Sequence, residues 1–340
     1  MTPLRFALIG TGGIAAAYEQ AFKNQTDARI CAVCDTVPEK AQAFADRIGC
    51  AAYGSVFDLL AENLDAAIIC TPPATHEPIA ITLLNAGVHV LCEKPLATSI
   101  EGAHRMLDAA RRGGVLLTMA SKFRYVNDVR VAKDLLEMGA IGDLIFIENA
   151  FASRVDMSSR WNGDPRMAGG GVLIDNGTHA VDILRYFMGD LLDVQIVEGR
   201  RIQGLPVEDT VRVFVRNAGG VLGTSDLSWS IDKEMTTYLR LYGSDGTILV
   251  GWNESKYRRG KSEWHVFGSG YNKIAAFTEQ VRNFCAAIRH TDTLLVTPRD
   301  ALASVEVISA AYAALERSRW EIVSRTEDAF TLLPLPAEAS

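Results

Sequence analysis

Apolar and polar positions in the first third of the chain form short apolar runs separated by longer segments with helical spacing. The apolar runs cover residues 4–9, 30–34, 66–70, 88–92 and 115–119. The first intervening segment predicts a helix running through Tyr18 and Phe22, and the later ones predict helices at residues 38–48, 56–62, 76–86 and 99–112. Strands that alternate with helices in this way are typical of a parallel, doubly wound sheet.

The pattern changes near residue 120. After a predicted helix at residues 127–138, strands are predicted at residues 143–151, 194–202, 210–216, 221–230, 235–243 and 247–250, with late helices at 274–289 and 300–317. Val211, Val213 and Val215 alternate with polar or aromatic residues, which indicates a sheet with one face packed on helices. We predict an α/β fold with a parallel sheet in residues 1–121 and an α+β domain with an open, largely antiparallel sheet in residues 122–340.

Composition narrows the possible partners. The 340 residues suffice for about two domains. The net charge is −7 and no block of like charges occurs, so neither nucleic acid nor an anionic membrane is expected as a partner. No apolar run approaches the roughly 18 residues that span a bilayer, and the N-terminus lacks a secretory signal pattern. We therefore expect a soluble, cytoplasmic protein whose partner is a small molecule.

The six cysteines do not form a recognisable metal site. Cys31 and Cys34 have C-x-x-C spacing, but they lie in one predicted strand, which does not hold side chains i and i+3 together. No second pair is present to complete a zinc site. We expect buried, reduced thiols and no metal.

The turn after the first strand carries the glycine pattern of a dinucleotide-binding βαβ unit. Gly10, Gly12 and Ala15 occupy the three positions of a G-x-G-x-x-A motif. Gly10 allows the tight turn, Gly12 lets the backbone approach a pyrophosphate, and Ala15 stands where the helix passes close to the strand. The helix N-terminus offers free N–H groups to the phosphates. The N-terminal domain is therefore predicted to be a Rossmann doubly wound parallel sheet.

The second strand ends at Asp35, whose carboxylate can accept hydrogen bonds from both hydroxyls of an adenosine ribose. Thr36 follows, where an NADP enzyme often has arginine or lysine. A carboxylate without a basic neighbour repels a 2′-phosphate, so we expect NAD as the cofactor. A purely structural glycine turn is the alternative.

Two further places carry side chains suited to alcohol chemistry. Lys94 ends a buried strand at the edge of the sheet where ligands bind, and its ammonium group could hydrogen-bond a substrate hydroxyl or polarise a carbonyl. Asp175 and His179 have the i, i+4 spacing that places both on one helix face, where His179 can accept a hydroxyl proton while Asp175 orients it. The alternatives are a surface lysine, and a helix N-terminal acid with a satisfied core histidine. Whether His179 or Lys94 is the primary base stays open.

On four motifs in the same order, the chain resembles the Gfo/Idh/MocA oxidoreductases, the family of glucose-fructose oxidoreductase and inositol dehydrogenase. The motifs are Gly-Thr-Gly at 10–12 with Asp35, Thr-Pro-Pro-Ala-Thr-His at 71–76, Glu-Lys-Pro at 93–95, and Gly-Gly-Gly-Val-Leu-Ile-Asp-Asn-Gly-Thr-His at 169–179. Pro73 departs from the pattern, because many members have asparagine after Thr-Pro. The resemblance implies a cis peptide bond before Pro95 and catalysis by Lys94, Asp175 and His179.

The resemblance also implies a set of cofactor contacts and an oligomer. The predicted cofactor-binding residues are Gly10, Thr11, Gly12, Gly13, Ile14, Asp35, Thr36, Thr71, Pro72, His76, Glu93 and Lys94. A homodimer or homotetramer would form through the exposed face of the second sheet. Tyr238, Arg240 and Tyr242 alternate along one strand and fit such an interface, with a plain solvated face as the alternative.

Substrate-binding residues should come from the second domain. The predicted set is Lys122, Arg124, Arg160, Trp161 and Asn162, with Asp175 and His179; Arg154 and Arg166 belong to the same long loop, residues 153–171. A tryptophan beside polar groups suits a sugar ring.

Together these features predict an NAD-dependent oxidoreductase. It would transfer hydride between nicotinamide and a secondary alcohol or ketone of a sugar, aminosugar or cyclitol. The alternatives are an NAD-dependent glycoside hydrolase that oxidises its sugar transiently, and a non-catalytic NAD-binding regulatory protein.

Overall fold

Two β-sheets and the helices packed on them make up the protein in a computed structural model that describes residues 2–23 and 25–324. The C-terminal end of the second predicted domain, residues 325–340, lies outside the described residues. The first sheet ends at Ala120, next to the predicted domain boundary.

The first sheet has six parallel strands in the order β3-β2-β1-β4-β5-β6. Its strands are β1 (Leu4–Ile9), β2 (Ala28–Cys34), β3 (Ala51–Tyr53), β4 (Ala66–Ile69), β5 (His89–Glu93) and β6 (Leu117–Ala120). The helices between them are α1 (Ala15–Phe22), α2 (Pro38–Ile48), α3 (Val56–Leu59), α4 (His76–Asn85) and α5 (Ile100–Gly113). The predicted doubly wound parallel sheet is confirmed.

Local sequence explains where several of these elements begin and end. The central strand β4 consists of Ala and Ile residues that are all buried, as expected for a strand covered on both faces. Pro38 opens α2, and the Ser99 hydroxyl accepts a hydrogen bond from the Gly102 N–H at 3.0 Å to cap α5. The three-residue strand β3 is too short to give a hydrophobic period, and the sequence did not predict it.

Within residues 2–23 and 25–324, the second sheet has nine strands in the order β14-β13-β12-β11-β7-β10-β9-β8-β15, and only the β7–β10 pair is parallel. The strands are β7 (Leu144–Ala152), β8 (Leu191–Glu198), β9 (Thr210–Asn217), β10 (Leu222–Ser228), β11 (Thr237–Gly243), β12 (Gly246–Gly251), β13 (Ser255–Arg259), β14 (His265–Gly268) and β15 (Glu321–Ile322). The open, largely antiparallel sheet is confirmed.

The helices in the second part of the chain are α6 (Asn127–Glu137), α7 (Pro165–Ala168), α8 (Val172–Met188), α9 (Lys273–Ile288) and α10 (Pro298–Arg317). Two of these helices, α8 and α10, cover the inner face of this sheet. Helix α8 packs against β7, β9 and β10, and α10 packs against β8. The face that points away from α8 and α10 carries partly exposed side chains such as Phe146, Arg240 and Tyr242.

One prediction about this outer face is wrong. Arg240 and Tyr242 lie on it, but Tyr238 is 1% exposed and stacks with Phe151 inside the protein, at 6.0 Å between ring centroids. The pairing register shifts between Thr237 and Leu239, and this irregularity interrupts the alternation that the sequence pattern assumed.

Helix α9 returns from the second half of the chain to the first sheet and packs against α1. Its residues Phe277, Val281 and Phe284 are buried in one cluster with Phe6 and Tyr18. The rings of Phe6 and Phe284 meet edge to face at 6.2 Å. The core under β1 is therefore completed by residues that lie more than 250 positions away in sequence.

Candidate active site

A cleft of about 840 Å³ lies where the carboxyl ends of the first sheet meet the inner face of the second. Residues of the first part of the chain in its lining are Gly12, Gly13, Ile14, Cys70, Thr71, Glu93 and Lys94. The second part contributes Lys122, Phe123, Phe151, Ala152, Ser153, Ser159, Arg160, Trp161, Asn162, Asp175, Asn176, His179, Trp252, Tyr271, Lys273 and Phe277. Both halves of the chain thus build one site.

The glycine turn leaves open space in front of α1. Gly10 has φ +89° and a Cβ there would lie 3.0 Å from the Cys70 carbonyl carbon, so only glycine fits this position. Among the described residues, no atom lies within 4 Å of a Cβ built on Gly12 or Gly13, and the side chain of the N-cap residue Ile14 makes no capping hydrogen bond. A helix N-terminus with open space in front of it fits the diphosphate of a dinucleotide.

Asp35 is held at the end of β2 by the glycine turn itself. Its Oδ2 accepts hydrogen bonds from the Thr11 N–H at 2.9 Å and the Thr11 hydroxyl at 2.8 Å, and its Oδ1 accepts one from Val37 N–H at 2.9 Å. Burial raises the pKa of Asp35, but these hydrogen bonds outweigh it and hold the pKa below its usual range. The carboxylate is therefore ionised at neutral pH, with the exposed Thr36 next to it.

His76 is not in the cleft, although the sequence predicted a cofactor contact for it. The residue is 0% exposed, and its ring nitrogens lie 2.8 Å from the carbonyl oxygens of Pro95 and Thr71. His76 thus joins the loops after β4 and β5. Cys70 and Thr71 of the first loop line the cleft, and Pro72 does not. The Lys94–Pro95 peptide bond is cis, as the resemblance implied.

Glu93 is a buried acid at the base of the cleft. Its Oε1 accepts a hydrogen bond from the Tyr18 hydroxyl at 2.8 Å, and that hydroxyl accepts one from Gln280 of α9 at 3.0 Å. Burial raises the pKa of Glu93, while the charge of Lys94 and the Tyr18 hydrogen bond act in the opposite direction. The chain Gln280–Tyr18–Glu93 fixes the end of β5, on which Lys94 follows.

Lys94, Asp175 and His179 come together in the cleft. The Lys94 ammonium forms an ion pair with the Asp175 carboxylate and also donates to the Asp175 carbonyl oxygen at 3.1 Å. His179 is 8% exposed, and its ring meets Phe123 and Phe151 edge-on, with centroids 5.2 and 6.4 Å away. Its Nδ1 is buried and has no hydrogen-bond partner among the described residues.

Burial lowers the pKa of His179 well below its usual range, and the charges of Lys94 and Lys122 lower it further. The imidazole is therefore neutral at pH 7 and free to accept a proton.

Helix α8, which carries Asp175 and His179, is capped from another part of the chain. Glu208 is 4% exposed, and its Oε1 accepts hydrogen bonds from the N–H groups of Gly171 and Leu173 at 3.0 Å each and from the Tyr312 hydroxyl at 2.9 Å. A Cβ on Gly171 would lie 2.1 Å from the Glu208 carbonyl oxygen, and one on Gly170 would lie 1.9 Å from the Tyr312 hydroxyl. The glycines of the Gly-Gly-Gly motif thus make room for the cap.

Besides Asp175 and His179, the structure brings four more predicted substrate residues to the cleft, namely Lys122, Arg160, Trp161 and Asn162. Burial lowers the pKa of Lys122 to about 8, with the charges of Lys94 and Lys273 acting in the same direction.

Arg124 was predicted to bind the substrate, but it lies outside the cleft. It is 4% exposed and forms ion pairs with Asp182 of α8 at 2.8 Å and Asp300 of α10 at 3.2 Å. The buried Asp182 and the partly exposed Asp300 hold the guanidinium as a structural link between α8 and α10. Arg154 and Arg166 are likewise absent from the lining, and Arg166 pairs with Asp164 at 2.8 Å.

Sequence reasoning missed the aromatic wall of the cleft, which consists of Phe123, Phe151, Trp252 and Tyr271. Phe123 stacks on Phe151 at 4.6 Å and on Tyr271 at 5.3 Å, and Trp252 meets Tyr271 edge-on at 5.6 Å. These residues come from four separate segments, so no local motif could have indicated them. An apolar wall opposite polar groups suits the face of a sugar ring.

The described part of the chain contains neither a metal-binding cluster nor a membrane-spanning helix. No group of three or more His, Cys, Asp or Glu residues within residues 2–23 and 25–324 could hold a metal ion. No helix in the same ranges is long and apolar enough to cross a membrane.

Comparison with protein families gives two matches along the chain. Residues 4–121 match the model of the oxidoreductase family with an NAD-binding Rossmann fold. Residues 129–249 match the GFO/IDH/MocA C-terminal domain.

Several curated relatives are dehydrogenases. Trans-1,2-dihydrobenzene-1,2-diol dehydrogenase of Mus musculus is 30% identical over 69% of this chain and 72% of its own. Myo-inositol 2-dehydrogenase of Thermotoga maritima is 24% identical over 93% of this chain and 97% of its own. D-glucoside 3-dehydrogenase of Escherichia coli K12 is 34% identical, and the match spans 55% of each chain.

A solved structure of levoglucosan dehydrogenase in complex with NADH has the same fold. It superposes with a TM-score of 0.89 at 21% identity and covers 95% of this chain and 100% of that one.

Proposed function

The chain belongs to the Gfo/Idh/MocA family of oxidoreductases, and on that premise we propose that it oxidises a secondary alcohol of a sugar, aminosugar or cyclitol with NAD. The observation that carries the proposal is the convergence of Lys94, Asp175 and His179 in a cleft that also contains the open N-terminus of α1. The relatives named above act on alcohols of this kind, as sugar, inositol and diol dehydrogenases, which favours a dehydrogenase over a glycoside hydrolase or a regulatory protein.

The residues that fit the cofactor are those of the glycine turn and the strand ends. Gly12, Gly13 and the first turn of α1 would hold the diphosphate, Asp35 the adenosine ribose, and Thr71 the nicotinamide side. When bound, NAD supplies the hydride acceptor at C4 of the nicotinamide. The ionised Asp35 repels a 2′-phosphate, so kcat/KM should be lower with NADP than with NAD.

The proposed roles of the catalytic residues follow from their charges. His179, neutral at pH 7, accepts the proton of the substrate hydroxyl. Lys94 donates a hydrogen bond to the same oxygen and stabilises the negative charge that develops on it. Asp175 holds the Lys94 ammonium in place through the ion pair and through its own carbonyl oxygen. The aromatic wall and Trp161 would pack against the ring of the substrate.

The first test is a panel of polyols, pyranosides and aminocyclitols, with NADH formation followed by absorbance. We expect NADH to form with at least one member, and to be lost in a Lys94→Met variant that still binds NAD. A chromogenic glycoside in parallel distinguishes the hydrolase, which would release the chromophore without net NADH.

We further propose that copies of the chain associate through the outer face of the second sheet. Phe146 and Tyr242 stack there at 6.1 Å, and the exposed Val197 and Leu222 add apolar surface. A monomer in light scattering at all concentrations would contradict this. The six free cysteines fit a reducing compartment such as the cytoplasm, which cell fractionation can test.

A further inference from the structure

The cleft carries more positive than negative charge next to the proposed catalytic residues. The cations in its lining are Lys94, Lys122, Arg160 and Lys273, and the acids are Glu93 and Asp175. Lys94 and Asp175 neutralise each other in their ion pair, and Glu93 is buried beneath them. The remaining cations therefore face the space in which cofactor and substrate would lie.

Lys122 is the most unusual of these cations. Within the described residues it forms no ion pair, and its ammonium lies 5.3 Å from the centre of the Phe123 ring. The charged groups that act on it are Lys94, Glu93, Lys273 and Asp175. Burial lowers its pKa to about 8, so at neutral pH the ammonium form still predominates. Leaving a partly buried cation without a carboxylate partner is unfavourable, so an anion that binds beside it is stabilised.

The anion that Lys122 would bind is not the cofactor diphosphate. Lys122 directly follows β6 and the loop that contains Ser121, whereas the open α1 N-terminus follows β1. Lys273 is the first residue of α9, the helix that packs on α1, and is therefore the cation better placed for the phosphates. Lys122 instead acts electrostatically on His179 and Lys94, the residues proposed to contact the reacting hydroxyl.

We propose that the substrate carries a carboxylate close to the carbinol carbon and that Lys122 binds this carboxylate. The substrate class is then a sugar acid, such as a uronic or aldonic acid, and Lys122 determines this specificity. The inference rests on the proposed dehydrogenase function. In the reaction, the C–H bond of the carbinol breaks with hydride passing to NAD, the hydroxyl proton passes to His179, and the carboxylate stays unchanged.

The test compares substrates that differ only in the acid group. D-glucose with D-glucuronate and D-galactose with D-galacturonate are matched pairs, and D-glucose 6-phosphate carries an anion further from the ring. Initial rates of NADH formation give kcat/KM for each. Calorimetric titration of the same compounds into the protein saturated with NADH gives binding without turnover.

We expect the wild-type protein to prefer the acid of a pair by about 10- to 100-fold in kcat/KM, as for a charge-assisted hydrogen bond. Lys122→Met should abolish the preference in both kinetics and binding, and Lys122→Arg should retain part of it. The control is Lys261→Met, which removes an exposed lysine in the turn between β13 and β14 and should leave the preference unchanged.

The outcomes separate the two proposals. Turnover of neutral sugars without preference for acids, or a preference that survives Lys122→Met, overturns the inference and leaves the dehydrogenase proposal standing. Lys122-dependent binding of acids without NADH formation supports the inference and contradicts the dehydrogenase proposal. A preference for the sugar phosphate over the sugar acids contradicts the placement of the anion, and a panel that neither binds nor reacts contradicts both.

Discussion

His179 is the residue on which the proposed proton transfer depends. Burial and two neighbouring ammonium groups keep its imidazole neutral, so the pKa of this base lies well below 6.5 in the folded protein. We expect kcat to fall about 10²- to 10⁴-fold in His179→Asn, the range of general-base catalysis. We also expect the wild-type kcat/KM to decline on the acid side only well below pH 6.5. Steady-state NADH formation between pH 4.5 and 8 measures both effects.

The control for this variant is His265→Asn, which removes an exposed histidine of β14. A stability measurement checks the pKa itself. Because the unfolded chain binds a proton near pH 6.5 that folded His179 does not bind, this histidine makes stability fall as the pH drops below 6.5. Urea unfolding should therefore show a weaker acid dependence in His179→Asn than in the wild type. Equal acid dependence would mean that His179 titrates normally.

The convergence of the proposed catalytic residues in one cleft was predictable from sequence, and the aromatic wall was not. Lys94 follows a buried strand, and Asp175 and His179 are one helical turn apart, so local spacing was enough to place them. Arg124 looked equally suitable, but whether an arginine meets a substrate or a buried carboxylate depends on Asp182 and Asp300, which are distant in sequence. Long-range partners of this kind leave no local pattern.

Helix α8 depends on Glu208 for the position of its first turn. Glu208→Ala would leave the buried N–H groups of Gly171 and Leu173 unsatisfied, at a cost of about 2–4 kcal/mol in unfolding free energy. Because Asp175 lies in that turn, we expect kcat to fall as well, with an unchanged Kd for NAD. Glu208→Gln keeps an oxygen acceptor and should retain most of the wild-type unfolding free energy and most of the wild-type kcat. Urea unfolding, steady-state kinetics and cofactor titration measure these three quantities.

Ser99→Ala is the matched control, because it removes a cap from α5, a helix that carries no residue of the cleft lining. It should lower stability by about 1 kcal/mol and leave kcat unchanged. Both variants are compared by the loss of kcat for a given loss of unfolding free energy. If this ratio is the same in Ser99→Ala and Glu208→Ala, Glu208 has no specific positioning role.

The bounds of a strand or helix were predictable where the spacing of apolar residues stayed constant along the whole element. The predicted bounds of α2 agree with the structure, whereas β8 begins at Leu191 and ends at Glu198, earlier than the predicted 194–202. Only Gly189 and Asp190 separate the end of α8 from Leu191, and the sequence pattern did not separate this helix end from the strand start. In β11, regular alternation would have exposed the side chain of Tyr238. The irregular pairing at this position leaves it buried.

The two sheets are not independent units, because α9 completes the core of the first one. Phe284→Ala would empty a buried space beside Phe6 and should lower the unfolding free energy by about 3–5 kcal/mol. Since α9 also supports α1, we expect weaker NAD binding in this variant. Thermal unfolding and cofactor titration measure the two effects. The control is Phe57→Ala, which removes a ring that is 76% exposed and should change neither the unfolding free energy nor the affinity for NAD.

The sequence pattern placed the change of architecture near residue 120 but could not reveal the return of α9. Its apolar face is a property of the helix alone, and nothing in that face indicates which sheet it will cover. The net charge of the chain likewise did not indicate the charge of the cleft. The chain is acidic overall, with a net charge of −7, yet its cleft concentrates lysines from both halves of the chain.

The most direct test of the account follows the hydrogen that leaves the carbinol carbon. A substrate found with the panel is deuterated at that carbon and incubated with NAD and the protein. We expect deuterium at C4 of the reduced nicotinamide, one per ketone formed, and its loss in Lys94→Met and His179→Asn variants that still bind NAD. Ketone formation without deuterium at C4, or full transfer in both variants, would contradict the account.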